Sequence, residues 1–231
     1  MECLFNADKS HFATWLWICD PEDGDSMTTM CPSRPEVVPL YYAALFGFRD
    51  LTEHLLAEHP EDVHAEGGYE VTPLHASARH GYADIFLLLV EHFPEVDIQG
   101  ICLQIPLHRA SRGGHMEIGQ WLLDRGAGIN TQDKDGWTPL FIAARYGQLE
   151  FSRMLLERGA AINVPNEYDE TPLHGASRCG HVEVVRLLLD HGAHLNACDD
   201  DGMTPIEVAS SRGQREIVQL LSEYRDKSVQ E

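Results

Sequence analysis

Positive charge is scarce in this 231-residue chain: 17 Lys and Arg stand against 37 Asp and Glu, for a formal net charge of −20. A grip on DNA, RNA or an anionic membrane needs clustered cations, so no nucleic-acid or membrane partner is expected. A basic or mixed-charge protein partner is favoured instead. Long apolar runs are missing too, and none approaches the ~18–20 residues of a membrane span. The first residues show no basic segment followed by an apolar core, so no secretory signal is expected. Cys3, Cys19, Cys31, Cys102, Cys179 and Cys198 make no C-x-x-C pair and no metal-ligand spacing. The expectation is reduced thiols in an intracellular protein, cytoplasmic or nuclear. No phosphate-binding glycine loop and no Ser/His/Asp or Cys/His arrangement stands out. Neither enzyme activity nor a cofactor, metal or small-molecule substrate is expected.

What is present is a period. Pro39, Pro73, Pro106, Pro139, Pro172 and Pro205 recur at intervals of 33 or 34 residues, and Gly47, Gly81, Gly114, Gly147, Gly180 and Gly213 keep step with them. Thr72, Thr138, Thr171 and Thr204 precede four of the prolines. Threonine is a good N-cap, and proline at the first helical position loses no hydrogen bond. The glycine eight residues after each proline suits the left-handed turn that ends a short helix. Small pairs such as Ala43–Ala44, Ala143–Ala144 and Ala176–Ser177 let these first helices approach closely. A second helix follows each glycine. Its apolar columns read Leu51, Ile85, Ile118, Phe151, Val184, Ile217 and, four residues on, Leu55, Leu89, Leu122, Leu155, Leu188, Leu221. Paired columns at i and i+4 form one helical face, and stacking the copies joins those faces into a continuous core.

The segments TPLHASARHGYADIFLLL, WTPLFIAARYGQLEFSRMLLERGAAIN and TPLHGASRCGHVEVVRLLLDHGAHLN resemble ankyrin repeats, over roughly residues 34–225. The resemblance implies an all-α solenoid of about six helix-turn-helix units with β-turn fingers (34–66, 67–99, 100–132, 133–165, 166–198, 199–225). It also implies a concave face made of fingers and first helices. His75, His108 and His174 are then the motif histidine that fixes the finger–helix junction. Copy three departs from the pattern by replacing a polar finger with Gly100-Ile101-Cys102-Leu103-Gln104-Ile105. The last copy carries Glu207 in place of the histidine and Ser222 in place of a leucine, as suits a polar end cap. The stack should end near residue 225, with 226–231 a frayed tail.

Residues 1–33 fall outside the period. The segment SHFATWLWICD (10–20) reads as a short capping helix, followed by an acidic loop. This leader, with LYYAALFGFRDLTEHLLAEHPEDVHAEGGYEVTPLH, is similar to the carboxy-terminal ankyrin arrays of fungal NACHT-type nucleotide-binding receptors. That similarity implies a sensing or adaptor role within a larger protein.

Because a repeat shares its core, specificity must lie where copies differ. Three sets of residues do. The fingers carry apolar or aromatic residues at Tyr69, Val71, Ile101, Leu103, Trp137, Tyr168 and Met203, which are candidate anchors. The last three fingers (QDKDGW, PNEYDE, CDDDGM) carry eight carboxylates against one lysine, with Asp199, Asp200 and Asp201 consecutive. Arg79, Arg112, Arg145 and Arg178 share one position at the end of successive first helices, next to Tyr146 in the fourth copy. They are read as a guanidinium ladder on the concave side, roughly 8–10 Å in step, with pairing to neighbouring finger carboxylates as the alternative. The function expected is recognition of a partner protein or peptide, one with a basic segment and a bulky apolar residue. A structural spacer or oligomerisation stalk is the alternative.

Overall fold

The computed structural model describes residues 38–67 and 72–228. The expected leader helix, the acidic loop after it, and the candidate anchors Tyr69 and Val71 lie outside these residues. Six helix pairs follow one another: α1 Pro39–Phe46 and α2 Arg49–Glu58; α3 Pro73–His80 and α4 Ala83–His92; α5 Pro106–Gly113 and α6 Met116–Asp124; α7 Pro139–Arg145 and α8 Leu149–Glu157; α9 Pro172–Cys179 and α10 Val182–Asp190; α11 Pro205–Ser211 and α12 Arg215–Ser228. There is no strand among the described residues. First helices pack on first helices in one layer and second helices form the other, so the core runs the length of the stack.

The expected signals act as read, with adjustments. Every first helix has proline in its opening turn. Gly147 sits at φ 73°, and a Cβ there would lie 2.5 Å from His181 Nδ1 in the next repeat, so this turn needs glycine for conformation and for space. Thr138 caps its helix by accepting the Phe141 N–H at 3.1 Å. The hydroxyls of Thr72 and Thr171 instead meet the ring Nδ1 of His75 and His174, at 3.0 and 2.9 Å. Thr204 donates to Glu207 from both its N–H and its hydroxyl.

Two expectations are corrected. In the first repeat the column of Leu51 and Leu55 is only half-buried, and Thr52 and Leu56 are the buried pair. A Cβ at Gly119, which holds the Thr52 register in repeat three, would meet Phe151 of the following repeat, so Thr52 and Leu56 belong to the side toward the following repeat and Leu51 and Leu55 to the other. The last helix continues to Ser228, past the expected end at 225. Its Tyr224 hydroxyl bonds the Asp190 carboxylate of the preceding second helix, which fastens the final turns to the stack.

Candidate functional site

Each of the four described fingers from residue 100 on is a tight turn closed by its own backbone. Gly100 N–H donates to Gln104 O, Asp133 to Trp137, Asn166 to Glu170 and Asp199 to Met203, at 2.9 to 3.0 Å. Neighbouring fingers are then tied edge to edge: Lys134 N–H to Cys102 O at 2.7 Å, Glu167 to Asp135 at 3.1 Å, and Asp200 to Tyr168 at 3.0 Å. In the last three fingers the first residue also closes the turn with its side chain. Asp133 Oδ1 accepts from the N–H groups of Asp135 and Trp137, Asn166 Oδ1 from Tyr168 and Glu170, and Asp199 Oδ1 from Met203. This is an Asx turn, in which a short side chain replaces missing backbone partners.

The motif histidines lock fingers three, four and six to the repeat before each. His75 Nε2 donates to Gln104 O at 2.9 Å, His108 Nε2 to Trp137 O at 3.0 Å, and His174 Nε2 to Met203 O at 3.1 Å. Burial lowers the pKa of all three rings, that of His75 to about 4, because a charged imidazolium would be stranded in the interior. The junction they fix is thus between repeats. Repeat four has Phe141 at this position, buried and stacked on Trp137 with ring centroids 5.4 Å apart.

The arginine row is present, but its members already have partners in the chain. Arg145 lays its guanidinium over the Trp137 ring, 5.0 Å from the centroid. Arg178, at the equivalent place, forms an ion pair with Glu170, which is itself buried. Trp137 and Glu170 each stand eight residues before their arginine and occupy the same finger position. One geometric slot is therefore filled by a cation–π contact in repeat four and by a salt bridge in repeat five. Arg112 covers the Tyr146 ring at 4.7 Å. Arg79 is half-buried. In repeats three to five the arginines of the row therefore serve as clamps within the chain.

The anchors and acids separate likewise. Trp137 shares its finger position with Gln104, Glu170 and Met203; Tyr168 shares with Cys102, Asp135 and Asp201; Leu103 shares with Gly136, Asp169 and Gly202. They do not form one stripe of equivalent sites. Tyr168 and Leu103 are half exposed, at 51% and 49%, whereas Trp137 is partly covered by Arg145 and Phe141. Ile101 opens the short 3₁₀ turn Ile101–Leu103. Asp199 is buried and belongs to its turn, whereas Asp200 and Asp201 are exposed.

A depression of about 420 Å³ on the concave side of repeats four to six gathers Trp137, Arg145, Tyr168, Arg178, Asp199, Asp200 and Asp201, together with Glu170 and Arg212. Leu103, Arg79, Arg112 and Tyr146 lie outside its lining. Sequence reasoning missed Glu170 and Arg212. Glu170 could have been found as the residue replacing Trp137 in the next copy, and Arg212 as an arginine one place beyond the row. Among the described residues no group of three or more His, Cys, Asp or Glu side chains is placed to hold a metal ion. No described helix is long and apolar enough to cross a membrane.

The family described as Ankyrin repeats (3 copies) matches residues 40–133, 96–166 and 159–231, and this chain belongs to it. Proteins of this family are in general protein–protein interaction modules. No curated protein matches the chain.

Proposed function

We propose that this chain is a recognition module that binds a partner protein or peptide through the concave face and fingers of repeats four to six, as the sensing or adaptor part of a larger protein in the cytoplasm or nucleus. The observation that carries this reading is the depression over those repeats. It brings two aromatic rings and the exposed carboxylates of Asp200 and Asp201 onto one surface. A partner with a basic segment and a bulky apolar residue complements that lining and the net charge of −20. The similarity of the leader and first repeat to fungal NACHT-type receptor arrays makes such a receptor the first larger context to test, by sequencing the full transcript.

Panning a random peptide library on the immobilised chain tests the reading. Retained peptides should bind wild type and fail on a Tyr168→Ala, Asp200→Asn, Asp201→Asn variant that melts normally. Equal retention by that variant sinks this surface as the interface. Failure to enrich any peptide or folded partner on this face favours the spacer or stalk.

A further inference from the structure

The depression offers a ligand less than its residue types suggest, because much of its charge is already used. Arg145 is committed to the Trp137 ring and Arg178 to Glu170, while Asp199 closes its own turn. What remains toward solvent is the Tyr168 ring, half exposed, with Asp200, Asp201 and Arg212 in the same lining. The hydrogen bond from Asp200 N–H to Tyr168 O, and that from Glu167 N–H to Asp135 O, fix the fingers side by side. Tyr168 is thereby set between the Asp135 finger and the Asp200–Asp201 finger.

Three of the chain's other accessible rings carry a guanidinium, while exposed Phe48 packs on Phe46. Tyr146 is covered by Arg112, Trp137 by Arg145 and, on a second helix, Trp121 by Arg125 at 4.6 Å. Tyr168 receives no such cover from the described residues, and the next finger sets Asp200 and Asp201 in the same lining, joined by the Asp200 N–H to Tyr168 O bond. A ring face with anionic flanks attracts a planar cation. A guanidinium can stack on the ring and at the same time present its N–H fork to a carboxylate, which an ammonium cannot match.

We infer that Tyr168, with Asp200 and Asp201, forms a seat for an arginine side chain of the partner, completing between two molecules the guanidinium-on-ring contact the chain makes within itself at Tyr146 and Trp137. This rests on the proposed concave interface and narrows its ligand from a basic segment to one with an arginine at a fixed place. The partner's bulky apolar residue then lies inward of that arginine, toward the exposed part of Trp137.

The test uses the full chain and the tightest peptide recovered from the library, measured by surface plasmon resonance against that peptide with its arginine replaced by lysine. The expected result is a roughly five- to tenfold weaker Kd for the lysine form. Tyr168→Leu should weaken the arginine peptide by a similar factor and abolish the arginine–lysine difference, whereas Tyr168→Phe, which keeps the ring, should stay within about twofold of wild type. Melting curves of the variants control for folding at this exposed fingertip. Arginine and lysine peptides of equal affinity, or a preference that survives Tyr168→Leu, overturn the arginine seat while leaving the concave interface standing. A library that yields no peptide sensitive to this face overturns both.

Discussion

Fingers three and four are closed by the same backbone hydrogen bond but hold their turns by different means. Finger four closes itself: Asp133 is buried, and its carboxylate accepts from two N–H groups of its own turn, while Gly136 takes the left-handed position at φ 76°. Finger three has Gly100 where that carboxylate should be. It forces Cys102 and Leu103 into left-handed backbone at φ 63° and 59°. Its hold comes from neighbours: His75 of the previous repeat grips Gln104 O, Gln104 Nε2 donates to Asp133 at 2.8 Å, and Cys102 O accepts from Lys134. A repeat protein can thus carry a locally unsuitable sequence in the middle of the stack, because the units on either side impose the shape. Finger three should then be the weak point of the array, and dependent on finger four.

The largest expected effect breaks the comparison at its stronger side. Asp133→Ala removes the carboxylate that accepts from two backbone N–H groups of finger four and anchors Gln104 of finger three, at a cost of about 3 kcal/mol in urea unfolding. Asp199→Ala, with one backbone bond at stake, should cost about 1 kcal/mol. Similar losses from both substitutions would mean that finger three does not lean on finger four.

Protonation should sharpen the contrast. His75 is buried as the neutral ring, with Nε2 donating to finger three and Nδ1 taking the Thr72 hydroxyl. Its pKa is about 4 when folded, against an ordinary 6.5 when unfolded, so below pH 6.5 the unfolded chain binds protons first. Stability present above pH 6.5 is therefore lost progressively down to about pH 4. We expect Tm to fall by roughly 5 °C or more between pH 7 and 5. Hydrogen exchange should show finger three opening before finger five, whose junction holds Phe141 in place of histidine. Equal opening of the two would remove the histidine from the account.

How much of this could be read beforehand follows from what each feature depends on. The repeat, its helix pairs and the histidine positions were legible because prolines, glycines and apolar columns act locally and recur. The role of Asp199 was not, since in the run Asp199-Asp200-Asp201 nothing in residue type separates a buried turn-closing carboxylate from two solvated ones. The missed signal was positional: Asp133, Asn166 and Asp199 all open a finger, where Asx chemistry belongs. The arginines were seen as a row, but their partners lie eight residues back across a turn. Only the folded finger brings Trp137 and Glu170 over Arg145 and Arg178.

Leu103→Gly tests the strain in finger three directly. A leucine with φ near 60° brings its Cβ toward the following carbonyl, a conformation glycine adopts freely. Since Leu103 is half exposed, little burial is lost by the change, and the variant should be more stable than wild type by about 1 kcal/mol. A less stable variant would show that the Leu103 side chain has packing worth more than the strain.

The last comparison concerns the arginine slot, where the same position is satisfied in two chemistries. Truncating Arg178 leaves the buried Glu170 carboxylate without its cation and should cost about 1–2 kcal/mol. Truncating Arg112 and Arg145 together uncovers the faces of Tyr146 and Trp137 but leaves no buried charge behind. The double variant should therefore lose only about 1 kcal/mol in total, with unfolding still cooperative. Added salt separates the two cases further. Screening acts on the partly exposed Arg178–Glu170 pair, so the cost of Arg178→Ala should shrink between low and high ionic strength, while that of the double variant should hardly move. If the double variant proves the more damaging, the guanidinium covers in repeats three and four contribute more to the stack than the ion pair in repeat five. The row would then have to be treated as a structural spine whose members cannot be altered to probe binding.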